Sequence, residues 1–183
     1  MKKIITLFLT VTALITSAQS SRSIDSIKTL LQSNREDTAT VNTINDLCTK
    51  LRSDGDLIGA KSYAEKGILL SEKLGWRKGE ANCYMQIGST NIWLSNYPDA
   101  SKSYLKALRI REGLKDEKGV AYTYMGIGNV YYYQKNYTDA IKNYTASINI
   151  QKRINNKLGI AMDYNCIGIA YNDQNEYDKA IYN

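Results

Sequence analysis

Apolar residues recur along most of the chain at helical spacing. Tyr124, Ile127, Gly128 and Tyr131 fall at i, i+3, i+4 and i+7, and Ala140, Tyr144, Ser147 and Ile148 at i, i+4, i+7 and i+8. That is the signature of helices with one buried face each. Between the two runs lies a polar stretch, Gln134 to Asp139. The pair therefore predicts a helix-turn-helix hairpin.

The hairpin pattern repeats at a fixed offset of 40 residues. Asn82 to Ile110 aligns with Tyr122 to Ile150, and a third copy starts at Met162. Ile87-Gly88, Ile127-Gly128 and Ile167-Gly168 recur as one pair. Tyr97, Tyr137 and Tyr177 form a second set, and Ala100, Ala140 and Ala180 a third. Ile44, Leu47, Cys48, Leu51, Leu57, Ala60 and Ala64 fit the same offset as a worn earlier copy. In the copy from Asn82 to Ile110 the turn carries Pro98, suited to the first turn of a helix because its missing N–H has no partner to lose there. The glycines lie inside a helix, where each costs ~1 kcal/mol against alanine. Close approach of the second helix at Ala100, Ala140 and Ala180 is the expected reason, with Tyr104 and Tyr144 filling the space one turn on.

The order Tyr124-x2-Ile127-Gly128-x2-Tyr131 followed by Ala140-x3-Tyr144 resembles the tetratricopeptide repeat. The resemblance covers roughly residues 40 to 183 and departs from the family in its 40-residue period and in lacking the closing proline. The extra length is expected in the second helix and its exit. The resemblance implies an all-α, right-handed superhelical solenoid of antiparallel helix hairpins. The expected boundaries are a worn repeat over 39–78, full repeats over 79–118 and 119–158, and an incomplete one over 159–183. Ile24, Ile27 and Leu31 make a short stripe, so 19–38 reads as a leading helix and linker.

Residues 1–18 read as a secretory signal: Lys2 and Lys3, an apolar run from Ile4 to Ile15, and a small-residue site cleaved after Ala18. The mature chain is then periplasmic or secreted. Cleavage removes two lysines and lowers the formal net charge from +6 to +4. Exported repeat segments of this kind resemble the N-terminal sensory part of bacterial histidine kinases and helix-turn-helix regulators.

The chain has no histidine, which removes imidazole-based nucleophile systems and imidazole zinc ligation. Cys48, Cys83 and Cys166 lack metal-ligand spacing. Acidic residues fall mostly in turns and on outer faces, with no converging pair. No enzyme activity, cofactor or metal is expected. Lys102, Lys106 and Arg109 form a basic stripe, read as a solvated helix face rather than a nucleic-acid surface.

The resemblance places the first helices of successive hairpins on a concave surface that binds a protein or peptide. The inner positions carried over are Asn42, Asn45, Thr49 and Arg52; Asn82, Met85, Ser89, Ile92 and Trp93; Tyr122, Met125, Asn129, Tyr132 and Tyr133; and Met162, Asn165, Ile169, Asn172 and Asp173. Asn82, Met85, Ser89, Trp93, Tyr122, Asn129, Tyr132, Tyr133, Asn165 and Asn172 are the candidate partner-binding set. Their amides can pair with a peptide backbone and their aromatics can anchor side chains. The lysine/asparagine clamp that some family members use for terminal carboxylates is not matched. Two other roles fit the same sequence: the sensory segment of a longer signalling protein, and a unit self-associating through the apolar face at Tyr177 and Ile181.

Overall fold

The computed structural model describes residues 24–31 and 35–182. The expected signal segment lies outside them. Every regular element among the described residues is a helix. Residues 24–31 form α1. The rest are α2 (Thr38–Ser53), α3 (Leu57–Lys73), α4 (Arg77–Trp93), α5 (Tyr97–Gly113), α6 (Glu117–Tyr133), α7 (Tyr137–Arg153), α8 (Lys157–Asp173) and α9 (Tyr177–Tyr182). They pair as antiparallel hairpins, α2 with α3 through α8 with α9, stacked into a solenoid. Among the described residues, no helix is long and apolar enough to cross a membrane.

One turn, used at every link from α2 to α9, sets this geometry. Each helix from α2 to α8 ends in a cap residue, followed by one residue with positive φ: Gly55, Gly75, Ser95, Lys115, Lys135, Asn155 or Asn175. The next residue starts the following helix. Asp56, Asn96, Asp116, Asn136 and Asn156 each accept a hydrogen bond from the backbone N–H three residues on, satisfying a donor the helix cannot satisfy itself. Trp76 holds this place without a side-chain bond; its ring instead covers Gly79, in the space a Cβ there would enter. The same turn serves within and between hairpins, so the second helix is not the longer one. First and second helices α4 to α7 are all 17 residues, which corrects the expectation of an extended second helix.

The recurring small residues pack as the sequence suggests, with one correction. Ala60, Ala100 and Ala140 are fully buried. The glycines of the first helices, however, make room for aromatic rings rather than for the alanines. A Cβ on Gly88 would lie 2.9 Å from the Tyr104 ring, and one on Gly128 would lie 2.5 Å from the Tyr144 ring. Gly126 meets the other side of Tyr104 at 2.5 Å, so that ring is held between α4 and α6. Gly168 alone faces an alanine, at the backbone oxygen of Ala180, 3.3 Å away. The worn first copy swaps both partners: Cys48 replaces the glycine, Ala64 replaces the tyrosine, and both are fully buried. The Cys48 thiol donates to the Ala60 carbonyl at 3.2 Å.

A second ladder is polar. Ser71, Arg111 and Gln151 occupy equivalent places near the ends of the second helices, opposite Cys83, Thr123 and Asp163 of the next first helices, and all six are buried. Asp163 and Glu80, also buried, are exceptions to the outward placement expected for acids. Glu80 is paired with Arg77. Burial drives the Asp163 carboxyl up to about 6, with a hydrogen bond from Ser147 opposing the shift.

Candidate functional site

First helices touch their neighbours: α2 meets α4, α4 meets α6 and α6 meets α8. Among the described residues, no second helix contacts another second helix. The stack is therefore tighter on the first-helix side, which curves it and makes that side the inner, concave face.

A cavity of about 670 Å3 opens on this face across the first three hairpins. That is the size range of ligand-holding clefts. Asn42 and Asn45 come from α2; Asn82, Met85 and Gln86 from α4; Tyr122 from α6. Three of the candidate residues, Asn82, Met85 and Tyr122, are thus brought together. Asn165 and Asn172 line a separate hollow of about 620 Å3 beside Ile169 and Ala180.

The other candidates have different surroundings. Ser89 Oγ is 2.9 Å from the Tyr104 hydroxyl, and Asn129 Oδ1 accepts from the Tyr144 hydroxyl at 2.8 Å. Both are engaged inside their own hairpins, holding the rings that the glycines admit. Tyr132 donates to Asp173 at 2.6 Å and meets Tyr133 edge to face. That bond to a carboxylate raises the Tyr132 hydroxyl to about 12, helped by burial. Trp93 is 62% exposed, and with Tyr133 it lies at the turn end of its helix, outside both cavities. Ile92, expected on the inner surface, is buried against Ala100, Tyr104 and Val130. It lies on the face of α4 turned toward α5, so it is a packing residue.

Charged groups complete the wall, and the sequence reading did not select them. Lys78, Lys118, Asp46 and Asp116 line the cavity, with Arg111 at its edge. Arg111 sits on α5 yet reaches between α4 and α6. It is 6% exposed. Its guanidinium donates to the Gly119 carbonyl at 2.5 Å, to Thr123 Oγ1 at 3.1 Å and to Asn82 Oδ1 at 2.8 Å. All three acceptors are neutral. Burial lowers its proton affinity and the charge of Asp116 offsets part of that, but a guanidinium remains charged near neutrality. The signal that could have found it was alignment with Ser71 and Gln151: a cation standing in a ladder of small or neutral polar residues. Asp116 caps α6 through the N–H of Gly119 at 3.0 Å, and Gln86 accepts from Arg52 at 2.9 Å.

None of the three cysteines lines this wall. Cys48 and Cys83 are buried, and desolvation pushes both thiols up to about 12, far from a reactive thiolate. Cys166 is likewise raised by burial, to about 11, and all three are unpaired. No cluster of metal-ligating side chains occurs among the described residues. The basic stripe of α5 is exposed, with Lys106 lying over the Tyr84 ring at 4.9 Å.

Known proteins share this architecture. A family model described as Tetratricopeptide repeat matches residues 79–153 and again 119–183, together more than half of the chain. No curated protein matches. Among solved structures, a Rap protein complexed with Competence and Sporulation Factor aligns with a TM-score of 0.78 at 16% identity, over 92% of this chain and 48% of that one. BtubC (BKLC) from P. vanneervenii aligns at 0.64 and 17% identity, over 78% and 59%. MamA aligns at 0.57 and 23% identity, over 91% and 85%. At these identities the likeness is one of fold. The chain spans about half the length of the Rap proteins it matches. Helix hairpins, curvature and family match agree: the chain belongs to the tetratricopeptide repeat family.

Proposed function

We propose that the protein is a non-catalytic scaffold that binds an extended peptide or protein segment along its concave face. The observation that carries this reading is the cavity bridging α2, α4 and α6. It is lined by amides that can pair with a peptide backbone and by Met85 and Tyr122, which can seat a side chain. A solenoid of the same fold solved in complex with a factor supports the reading. The test is selection from an immobilised library of randomised short peptides. A Met85→Ala/Tyr122→Ala double variant should lose roughly ten-fold or more in affinity for selected peptides, as anchor residues do. Unchanged affinity with an intact helical spectrum would move the binding face elsewhere.

The pattern of residues 1–18 supports export, and the long repeat period supports a role as the sensory segment of a longer signalling protein. Mass spectrometry of the protein expressed with those residues should find Gln19 as the mature N-terminus; an intact Met1 would argue against export. Self-association is favoured by one observation: Tyr177, Ile181 and Tyr182 of α9 are all exposed. Sedimentation at rising concentration decides it, since a monomer throughout excludes that role.

A further inference from the structure

We infer that the Arg111–Asn82 pair is a specificity site, and that it selects an acidic side chain, aspartate or glutamate, in the peptide lying in the concave groove. This rests on the groove-binding reading and names the chemistry the groove prefers.

Arg111 is nine-tenths buried and forms no ion pair among the described residues. Its three hydrogen-bond acceptors are two neutral side-chain oxygens and one carbonyl. Taking a cation out of water is unfavourable, and the nearby charge of Asp116, which makes no direct ion pair with it, offsets only part of that. Equivalent positions in the flanking repeats hold Ser71 and Gln151, so the fold accommodates a neutral residue there. The cation stands at a place where the repeat does not need one, and it borders the cavity.

Its neighbours fit the same ligand. Asn82 Oδ1 accepts from Arg111, which leaves the Nδ2 donors to offer an occupant, and those suit a carboxylate oxygen. Lys78 and Lys118 are exposed at the cavity wall, where they would steer a negative segment inward. Of the two acids in the wall, Asp116 is committed to capping α6. The wall carries Lys78, Arg111 and Lys118 against Asp46 and Asp116, a net positive charge. A guanidinium with a carboxylate is among the stronger hydrogen-bonded pairs, and more so where water is excluded.

The test uses two pools of short, C-terminally amidated peptides, randomised over uncharged residues. One pool has a fixed central glutamate and the other a fixed central glutamine. Wild-type protein should retain the glutamate pool roughly ten-fold more tightly, the effect of one charge-assisted contact. R111Q should bind both pools alike. Because removing Arg111 can also disturb the junction of α5 and α6, N82D is the decisive variant. It places a carboxylate where Arg111 already donates, neutralising the cation from within. N82D should melt at a higher temperature than wild type and lose the glutamate preference. Retention of that preference in N82D, or equal binding of both pools by wild type, overturns the site while leaving the groove intact. Failure of wild type to bind either pool overturns the groove reading itself.

Discussion

The ring of Tyr144 occupies the space in which a side chain on Gly128 would begin. A Cβ there would lie 2.5 Å from the ring, and the Tyr144 hydroxyl is fixed to Asn129, the next residue of the same helix. Glycine inside α6 is therefore the complement of the ring on α7. Gly128→Ala should destabilise the protein by about 1–2 kcal/mol, because overpacking a tethered ring outweighs the gain in helix propensity of about 1 kcal/mol. Gly113, at the end of α5, has open space where a Cβ would go, and Gly113→Ala should be neutral or stabilising. Urea melts of the two variants side by side check the contrast.

Tyr144→Phe keeps the ring and deletes its hydroxyl, leaving Asn129 without its donor. A loss of about 1 kcal/mol is expected from that hydrogen bond. In a double-mutant cycle with Asn129→Ala, the two losses should combine to less than their sum. Strict additivity would mean that the pair does not couple the two helices.

Asp163 makes stability depend on pH in an unusual direction. Its carboxyl, raised to about 6 by burial, binds its proton more tightly in the folded chain than in the unfolded one. The contribution is fully present below the ordinary value of 3.8 and is lost as pH rises to about 6. Only the Ser147 hydroxyl opposes the shift, so ionisation there is weakly compensated. Asp163→Asn should melt close to wild type near pH 4 and be more stable by on the order of 2 kcal/mol near pH 8. A constant difference across that range would show that the carboxyl is not the source.

The turns hold non-glycine residues with φ of 54° at Lys115 and 60° at Lys135. A side chain is unfavourable in that region by roughly 1–2 kcal/mol. Lys115→Gly and Lys135→Gly should each raise the melting temperature, offset in part by the greater freedom of glycine in the unfolded chain. A fall in either would mean that the lysine side chain makes a contact worth more than the strain.

The hairpins were legible because Ile-Gly, Tyr and Ala recur at one offset, and each has a steric reason to be where it is. The reason for the glycines was misassigned. Spacing along one helix shows that small residues share a face, but not whether an alanine or a ring from the next helix fills the gap. The same limit explains Ser89 and Asn129, whose inward register hides that tyrosine hydroxyls already hold them. It also explains Ile92, one residue before Trp93 yet turned to the core. Arg111 went unselected because it lies on a second helix and enters the groove only through the length of its side chain. The equal helix lengths were obscured because the turn residues, Leu94 to Asn96 and Gln134 to Asn136 among them, share geometry more than sequence.

Every link from α2 to α9 is the same self-contained turn, closed by bonds that span only a few residues, and among the described residues each hairpin touches only its neighbours. The molecule is thus closer to a short one-dimensional crystal than to a globule. Its stability should grow with the number of hairpins, and melting should proceed inward from an end rather than all at once. Cutting out one repeat, residues 117–156, would rejoin two surfaces of the same kind and leave a shorter helical stack. The length of the groove, and so the length of segment it can read, is then set by simple duplication.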